Sequence, residues 1–246
     1  MGTSTSYGGI KGNPNWSQLS SYVTKTCDTG SISPHSLNRV TSSFVKLIGG
    51  ANKGGRGQSK LGGRSGIRTA KKFGGFLFSV KDKGFLAAMS NIGFNPLKNT
   101  QPTDAINHLL EYCAGVAYSL DDIAAKAAER KLLEEIESDS KSFTELAEKF
   151  ESILEIYSIE ELLAKYYAYY VYEHLSCSFY EKLIEEKGKV ATSNFYTQLK
   201  KFLVEKVKNI ARKRNLSKID WAGQKGDELV KDIFENTLNV FENYES

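Results

Sequence analysis

From residue 119 to the end of the chain, apolar side chains recur every three or four positions and never alternate, a periodicity that amphipathic helices satisfy and half-buried strands do not. Capping-box patterns punctuate it: Ser119-Leu120-Asp121-Asp122 precedes a helix over 123–137, and Ser158-Ile159-Glu160-Glu161 opens a long one. That long helix runs to about Lys187 and stops at Gly188, and a short helix over 143–154 lies before it. A further helix over 193–213 places Phe195, Leu199, Phe202, Leu203, Val207 and Ile210 on one face. After a link containing Leu216, Ile219 and Trp221, the last helix spans about 227–242, with the stripe Leu229, Val230, Ile233, Phe234, Leu238 and Phe241. Hairpin signals are missing throughout, so the fold class expected is all-α: a bundle of five or more helices.

The front of the chain is different in kind. Residues 1–120 hold 14 Lys and Arg against 4 Asp and Glu, while the remainder holds 19 against 25, so a net charge of +4 conceals a basic front and an acidic rear. Glycine is as uneven, with 18 of 21 before residue 121. The first 15 residues have almost no apolar content to offset their ordering entropy and read as a flexible Gly-rich N-terminal tail. Ser33-Pro34 is an N-cap followed by proline at the first helical position, and Leu37, Val40, Phe44 and Ile48 continue a helix that Gly49-Gly50 ends. A basic Gly-rich loop over 49–66 follows, then glycine-weakened helices over 67–80 and 85–92 and a cleaner one over 104–114, capped by Thr103. The expected division is a flexible tail over 1–32, a basic Gly-rich helical region over 33–118 and an acidic helical bundle over 119–246.

Catalytic and metal chemistry finds little to work with. His35, His108 and His174 are far apart in sequence; His174 and Cys177 lie one helical turn apart, but beside Leu175 and Phe179 they read as a packed helix face. Neither HExxH nor GxSxG occurs, and the glycines around Lys53 lack the Lys-Ser/Thr pair of a phosphate loop. Glu134-Glu135, Glu160-Glu161 and Glu185-Glu186 read as solvated helix faces. Cys27, Cys113 and Cys177, odd in number and unpaired in spacing, read as reduced thiols. No segment has the apolar length of a membrane span, and the polar first thirty residues are not a secretory signal. The expectation is a cytoplasmic protein that is not an enzyme, with no membrane contact, no metal and no cofactor.

Two stretches remain. The run Tyr166-Tyr167-Ala168-Tyr169-Tyr170-Val171-Tyr172 puts aromatics on most sides of a helix, which places it centrally in the bundle with some hydroxyls reaching polar partners; nucleobase stacking is the alternative. From Lys53, cations recur at Arg56, Lys60, Arg64, Arg68, Lys71 and Lys72 without an intervening acid. Were that segment helical, they would form one stripe. Such a segment suits an acidic protein surface, a nucleic-acid backbone through counterion release, or a solvated linker.

Met1-Gly2 is the most specific local feature. Methionine before glycine is normally removed during synthesis, and the exposed amine titrates at roughly 7.7–8.0, so a useful fraction is nucleophilic near neutrality. Gly2 with Ser6 also fits the myristoylation pattern, which matters only in a cell that holds the transferase.

The opening Met1-Gly2-Thr3-Ser4-Thr5-Ser6-Tyr7-Gly8-Gly9, the Ser33-Pro34 helix ending in Gly49-Gly50, Phe73-Gly74-Gly75-Phe76-Leu77, Val171-Tyr172-Glu173-His174-Leu175, and Ile219-Asp220-Trp221-Ala222-Gly223 before Asp232-Ile233-Phe234 together resemble QatB, the small-protein family of the bacterial Qat anti-phage defence system. The chain departs from that pattern in having less proline just after the opening. The resemblance implies a non-catalytic component acting with a synthase-like QatC-type enzyme, a QatA-type ATPase and a TatD-like nuclease. It further implies that the 7-cyano-7-deazaguanine synthase-like partner conjugates a deazaguanine-type group to Gly2, with Thr3, Ser4, Thr5, Ser6, Tyr7, Gly8 and Gly9 threading that partner's active site. The alternative is a nucleic-acid-binding adaptor acting through Lys53, Arg56, Lys60, Arg64, Arg68, Lys71 and Lys72.

Overall fold

A computed structural model describes residues 13–51, 62–96, 100–208, 220–221 and 223–243. Among them the chain forms nine α-helices and no strand, an all-α bundle: α1 Pro14–Thr26, α2 Pro34–Leu47, α3 Arg64–Lys83, α4 Phe85–Asn91, α5 Pro102–Cys113, α6 Leu120–Glu137, α7 Phe143–Ile156, α8 Ile159–Val207 and α9 Gln224–Glu242. Local chemistry sets most starts. Ser33, Ser119, Ser142 and Ser158 each accept from a backbone N–H one turn on, and Asp122 and Glu161 return the bond to the backbone of Ser119 and Ser158.

Three expectations need correction. The segment over 1–32 is not tail throughout, because α1 occupies Pro14–Thr26: Asn13 caps it through a bond from Asn15 N–H at 2.9 Å, Pro14 sits in its first turn, and Leu19 and Val23 are buried. Its polar composition hid a two-residue apolar stripe. The cap of α5 is Gln101 rather than Thr103, since Pro102 already starts the helix and the Asp104 carboxylate accepts from Gln101 N–H at 3.2 Å. The helix expected over 193–213 ends at Val207, and residues 209–219 lie outside the described set.

The core is organised on α8, which touches α1, α2, α3, α6 and α9. Tyr166, Tyr167, Tyr169 and Tyr170 are all buried there, and each hydroxyl finds a partner on a surrounding helix. Tyr166 donates to the Gly66 carbonyl of α3 at 3.2 Å and Tyr167 to the Val230 carbonyl of α9 at 3.2 Å, while Tyr169 and Tyr170 donate to Glu135 and Asp121 of α6. Four tyrosines within five positions thus supply apolar area and fix three neighbours in rotation and height. A second aromatic group, Phe76, Phe85 and Phe150, joins α3, α4 and α7, with Phe85 and Phe150 stacked at 4.8 Å.

At Gly188 the backbone of α8 takes φ 80° and ψ 164°, which turns the chain before helix resumes. Beyond the turn, Asn194 and Gln198 clamp the link between α1 and α2: Asn194 Nδ2 donates to the Asp28 and Gly30 carbonyls at 2.8 and 2.7 Å, and Gln198 Oε1 accepts from Ile32 N–H at 2.9 Å. Nothing lies within 4 Å of a Cβ placed on Gly188, so its requirement for glycine is purely a backbone one. Gly188→Ala is expected to destabilise the fold by about 1–3 kcal/mol despite alanine's higher helix propensity. Urea denaturation checks this, and an unchanged or raised midpoint would contradict it.

Candidate functional site

The structure places the predicted functional residues in two groups. Gly2, Thr3, Ser4, Thr5, Ser6, Tyr7, Gly8 and Gly9, with Lys53, Arg56 and Lys60, lie outside the described residues. Arg64, Arg68, Lys71 and Lys72 belong to the first turns of α3, not to a loop or a segment awaiting a partner. The four-residue spacing sets Arg64, Arg68 and Lys72 along one exposed edge.

That edge is engaged within the chain. Arg68 pairs with Asp122 at 2.9 Å, Lys71 pairs with Asp227 at 2.8 Å, and Lys72 Nζ donates to the Tyr112 carbonyl at 2.8 Å while lying 5.2 Å over the Tyr112 ring. Arg68 also reaches the Ala114 carbonyl at 3.5 Å and Lys126 the Gly115 carbonyl at 3.0 Å. Three cations therefore converge on the carbonyl-rich C-terminus of α5, where the helix dipole favours positive charge.

Glycine at 63 gives α3 no side-chain cap of its own, and Asp121 supplies one from the first turn of α6. Its carboxylate accepts from Ser65 N–H at 2.9 Å, from Gly63 N–H at 3.3 Å and from the Tyr170 hydroxyl, and it lies 3.3 Å from His174 Nε2. Gly63 N–H also donates to the Tyr170 oxygen at 2.6 Å, and His174 Nε2 sits 3.1 Å from that oxygen. Next to it, Asp122 accepts from Ser65 Oγ at 2.6 Å. Two helix N-termini thus meet head to head with two carboxylates between their positive ends. Burial raises the pKa of Asp121, but bonds from His174, Tyr170 and Ser65 N–H outweigh it and hold the carboxyl well below the usual range. For Asp122 burial likewise opposes bonds from Ser65, Ser119, Tyr118 N–H and Arg68, which bring it to about 2. With Tyr170 and His174 fully buried, this cluster is a joint without access for a substrate.

His174 commits Nε2 to that joint and Cys177 is exposed, so the pair one turn apart shares no ligand position. Among the described residues no group of three His, Cys, Asp or Glu could hold a metal, and no helix is long and apolar enough to cross a membrane. Cys27 and Cys113 are buried free thiols.

A second joint unites two sequence motifs far apart in the chain. Trp221 packs on Gly74 and Gly75 of α3, so closely that a Cβ on Gly74 would come within 2.4 Å of the indole, and it lies 6.4 Å from the Phe78 ring. Sequence reasoning saw both motifs but not that each is the other's contact surface.

Glu129 escaped it altogether. This carboxyl is fully buried on α6 beside the Cys113 thiol, and no nitrogen or oxygen donor reaches either of its oxygens. Burial pushes its pKa well up, so the acid is carried neutral. Its place on the apolar face, one turn after Ala125 and before Leu133, was the available signal.

The polar clusters around Asp121 and Trp221 hold a helical scaffold together, and the described residues define an all-α bundle. Residues 54–241 match the family model of QatB, the Qat anti-phage system associated protein, and the chain belongs to that family. It is a component of anti-phage defence, in a family associated with a multi-protein system and not a known enzyme family. No curated protein and no solved structure matches the chain. The matched span contains both joints; the opening Met1-Gly2 motif and the Ser33-Pro34 helix precede it.

Two outcomes test the joints. Gly74→Ala would gain about 1 kcal/mol of helix propensity on an open surface, but against the rigid indole it is expected to cost about 1–3 kcal/mol and to shift Trp221 emission to the red; unchanged fluorescence and stability would contradict the packing. For Glu129, the folded state holds a proton that the unfolded chain releases above its ordinary range near 4.5. Its contribution is therefore full below that value and is lost as pH rises toward the folded pKa. The stability difference between Glu129→Gln and the parent should grow with pH at up to about 1.4 kcal/mol per unit, which denaturation at stepped pH values measures; a flat difference would show that the acid ionises freely.

Proposed function

We propose that this chain is a non-catalytic, partner-binding component of the Qat system, and that Gly2, freed by removal of Met1, is the acceptor of a deazaguanine-type group delivered by the synthase-like QatC-type partner. The observation that carries the reading is the start of the sequence: a glycine amine followed by Thr3-Ser4-Thr5-Ser6-Tyr7-Gly8-Gly9, uncharged and, Tyr7 apart, small, which lets extended backbone approach closely inside another protein. Membership of the defence family supports the setting. In the proposed step the unprotonated Gly2 nitrogen attacks the carbonyl carbon of a deazaguanine carboxylate activated by ATP. An amide C–N bond forms, the bond to the ATP-derived leaving group breaks, and the amine proton passes to solvent.

The engagement of Arg68, Lys71 and Lys72 within the chain favours partner binding over a nucleic-acid adaptor, because counterion release needs cations that are free to meet phosphates. Intact-mass measurement of the chain co-expressed with the other Qat genes tests the proposal. The expected result is loss of Met1 and one added deazaguanine acyl group on the N-terminal peptide, with Gly2→Pro abolishing both the adduct and phage protection. An unmodified Gly2 in the presence of all partners, with full protection by Gly2→Pro, would overturn it.

A further inference from the structure

Between α1 and the middle of α8 lies an open cleft of about 620 Å³. The two helices run side by side in the same direction: Trp16 stacks on Phe179 at 5.0 Å, Lys182 Nζ donates to Ser20 Oγ at 2.9 Å, and Thr24 Oγ1 donates to Glu186 at 3.4 Å. Trp16 stands at the end where the chain enters α1, and Ser17, Ser21 and Thr24 continue the wall from there. The charged groups of the cleft are Lys25, Lys182 and Glu186, and the last two already pair with each other at 3.7 Å, so charge does not select an occupant. The hydroxyls do, because each both donates and accepts. Among the described residues Trp16 is the one apolar lining side chain, so an amphipathic helix would find little for its apolar face. Extended backbone with small side chains would find partners for its N–H and carbonyl groups.

The chain carries such a segment next to the cleft. Residues 1–12 lead into α1 at Asn13, whose carbonyl accepts from Trp16 N–H at 3.0 Å. Twelve residues reach roughly 40 Å when extended, about twice the length of α1. Glycines at 8, 9 and 12 permit a reversal, and the wall from Ser17 to Thr24 is only about 10 Å long. Residues 3–9 hold no charged side chain and, Tyr7 apart, none larger than threonine. A segment tethered this closely meets the cleft at an effective concentration of order millimolar. A contact too weak to hold a free peptide therefore suffices, and any untethered ligand has to displace it.

We propose that this cleft is the resting seat of the chain's own N-terminal segment, with residues 3–7 lying between α1 and α8, and that it holds Gly2 back until a partner draws the segment out. A seat filled ten times as often as it is empty lowers the partner's apparent affinity for the segment about tenfold. That consequence for modification rests on Gly2 being the acceptor, whereas the seat itself does not.

Hydrogen exchange of the purified full-length chain, read on the peptide of residues 2–11, should show amides 3–7 exchanging about tenfold more slowly than in that peptide alone. The double variant Ser17→Arg with Ser21→Arg fills the cleft with two good helix formers. It should return those amides to the free-peptide rate, with circular dichroism and melting unchanged. Co-expressed with the synthase-like partner, it should also gain its N-terminal adduct about tenfold faster than the parent at early times. Free-peptide exchange in the parent would overturn the seat, as would protection that survives the double variant, or protection that vanishes on dilution and so belongs to a second copy. Adduct formation at equal rates in parent and variant would overturn the holding back of Gly2. Protected amides with no adduct on either chain would overturn the acceptor reading and leave the seat standing.

Discussion

The buried carboxylate of Asp121 is the constraint on which the arrangement of this bundle depends. Two helices that begin at the same point repel one another through their positive ends and leave N–H groups unsatisfied. Asp121 and Asp122 resolve both problems at once: they begin α6, they accept the first N–H and hydroxyl groups of α3, and they draw Tyr170 and His174 of α8 into the same contact. Glycine at 66 follows from this, because a Cβ there would stand 3.0 Å from the Tyr170 ring. The geometry of three helices is thereby fixed around one charge, and removing a partner would strand that charge in a place with little water.

Much of the helix pattern was legible because it rests on short-range chemistry. Ser119, Ser158 and Gly188 act locally, through caps and a backbone angle, and the sequence reading placed all three. What it missed required tertiary knowledge. The helix α1 buries only Leu19 and Val23, too few apolar positions to stand out against serines and threonines, and its place is secured by Lys182, Glu186, Asn194 and Gln198 of α8 and by Trp16 stacked on Phe179 at 5.0 Å. Glu129 sits on a face where periodicity calls for an apolar residue, and only burial separates it from the solvated glutamates nearby. For the candidate site the limit is different: the acceptor chemistry proposed for Gly2 rests on the sequence alone, because Gly2 lies outside the described residues.

Three of the motifs that carry the family likeness turn out to be contact surfaces. Phe73-Gly74-Gly75 and Asp220-Trp221 are the two halves of one packing interaction, and His174 belongs to the Asp121 joint. A glycine pair beneath an indole and a histidine facing a carboxylate look, in one dimension, like fragments of an active site. In three dimensions each has its partner inside the chain.

The same reasoning reinterprets the charge asymmetry. A basic front and an acidic rear invite a search for an acidic or phosphate-bearing partner, yet Arg68 with Asp122 and Lys71 with Asp227 show the two halves serving as each other's counterions. These exposed pairs add little stability individually, by general experience about 0–1 kcal/mol, so their main effect is on what remains available. Arg68, Lys71 and Lys72 are thereby committed within the chain, so the net charge of either half does not by itself say what an external partner would meet.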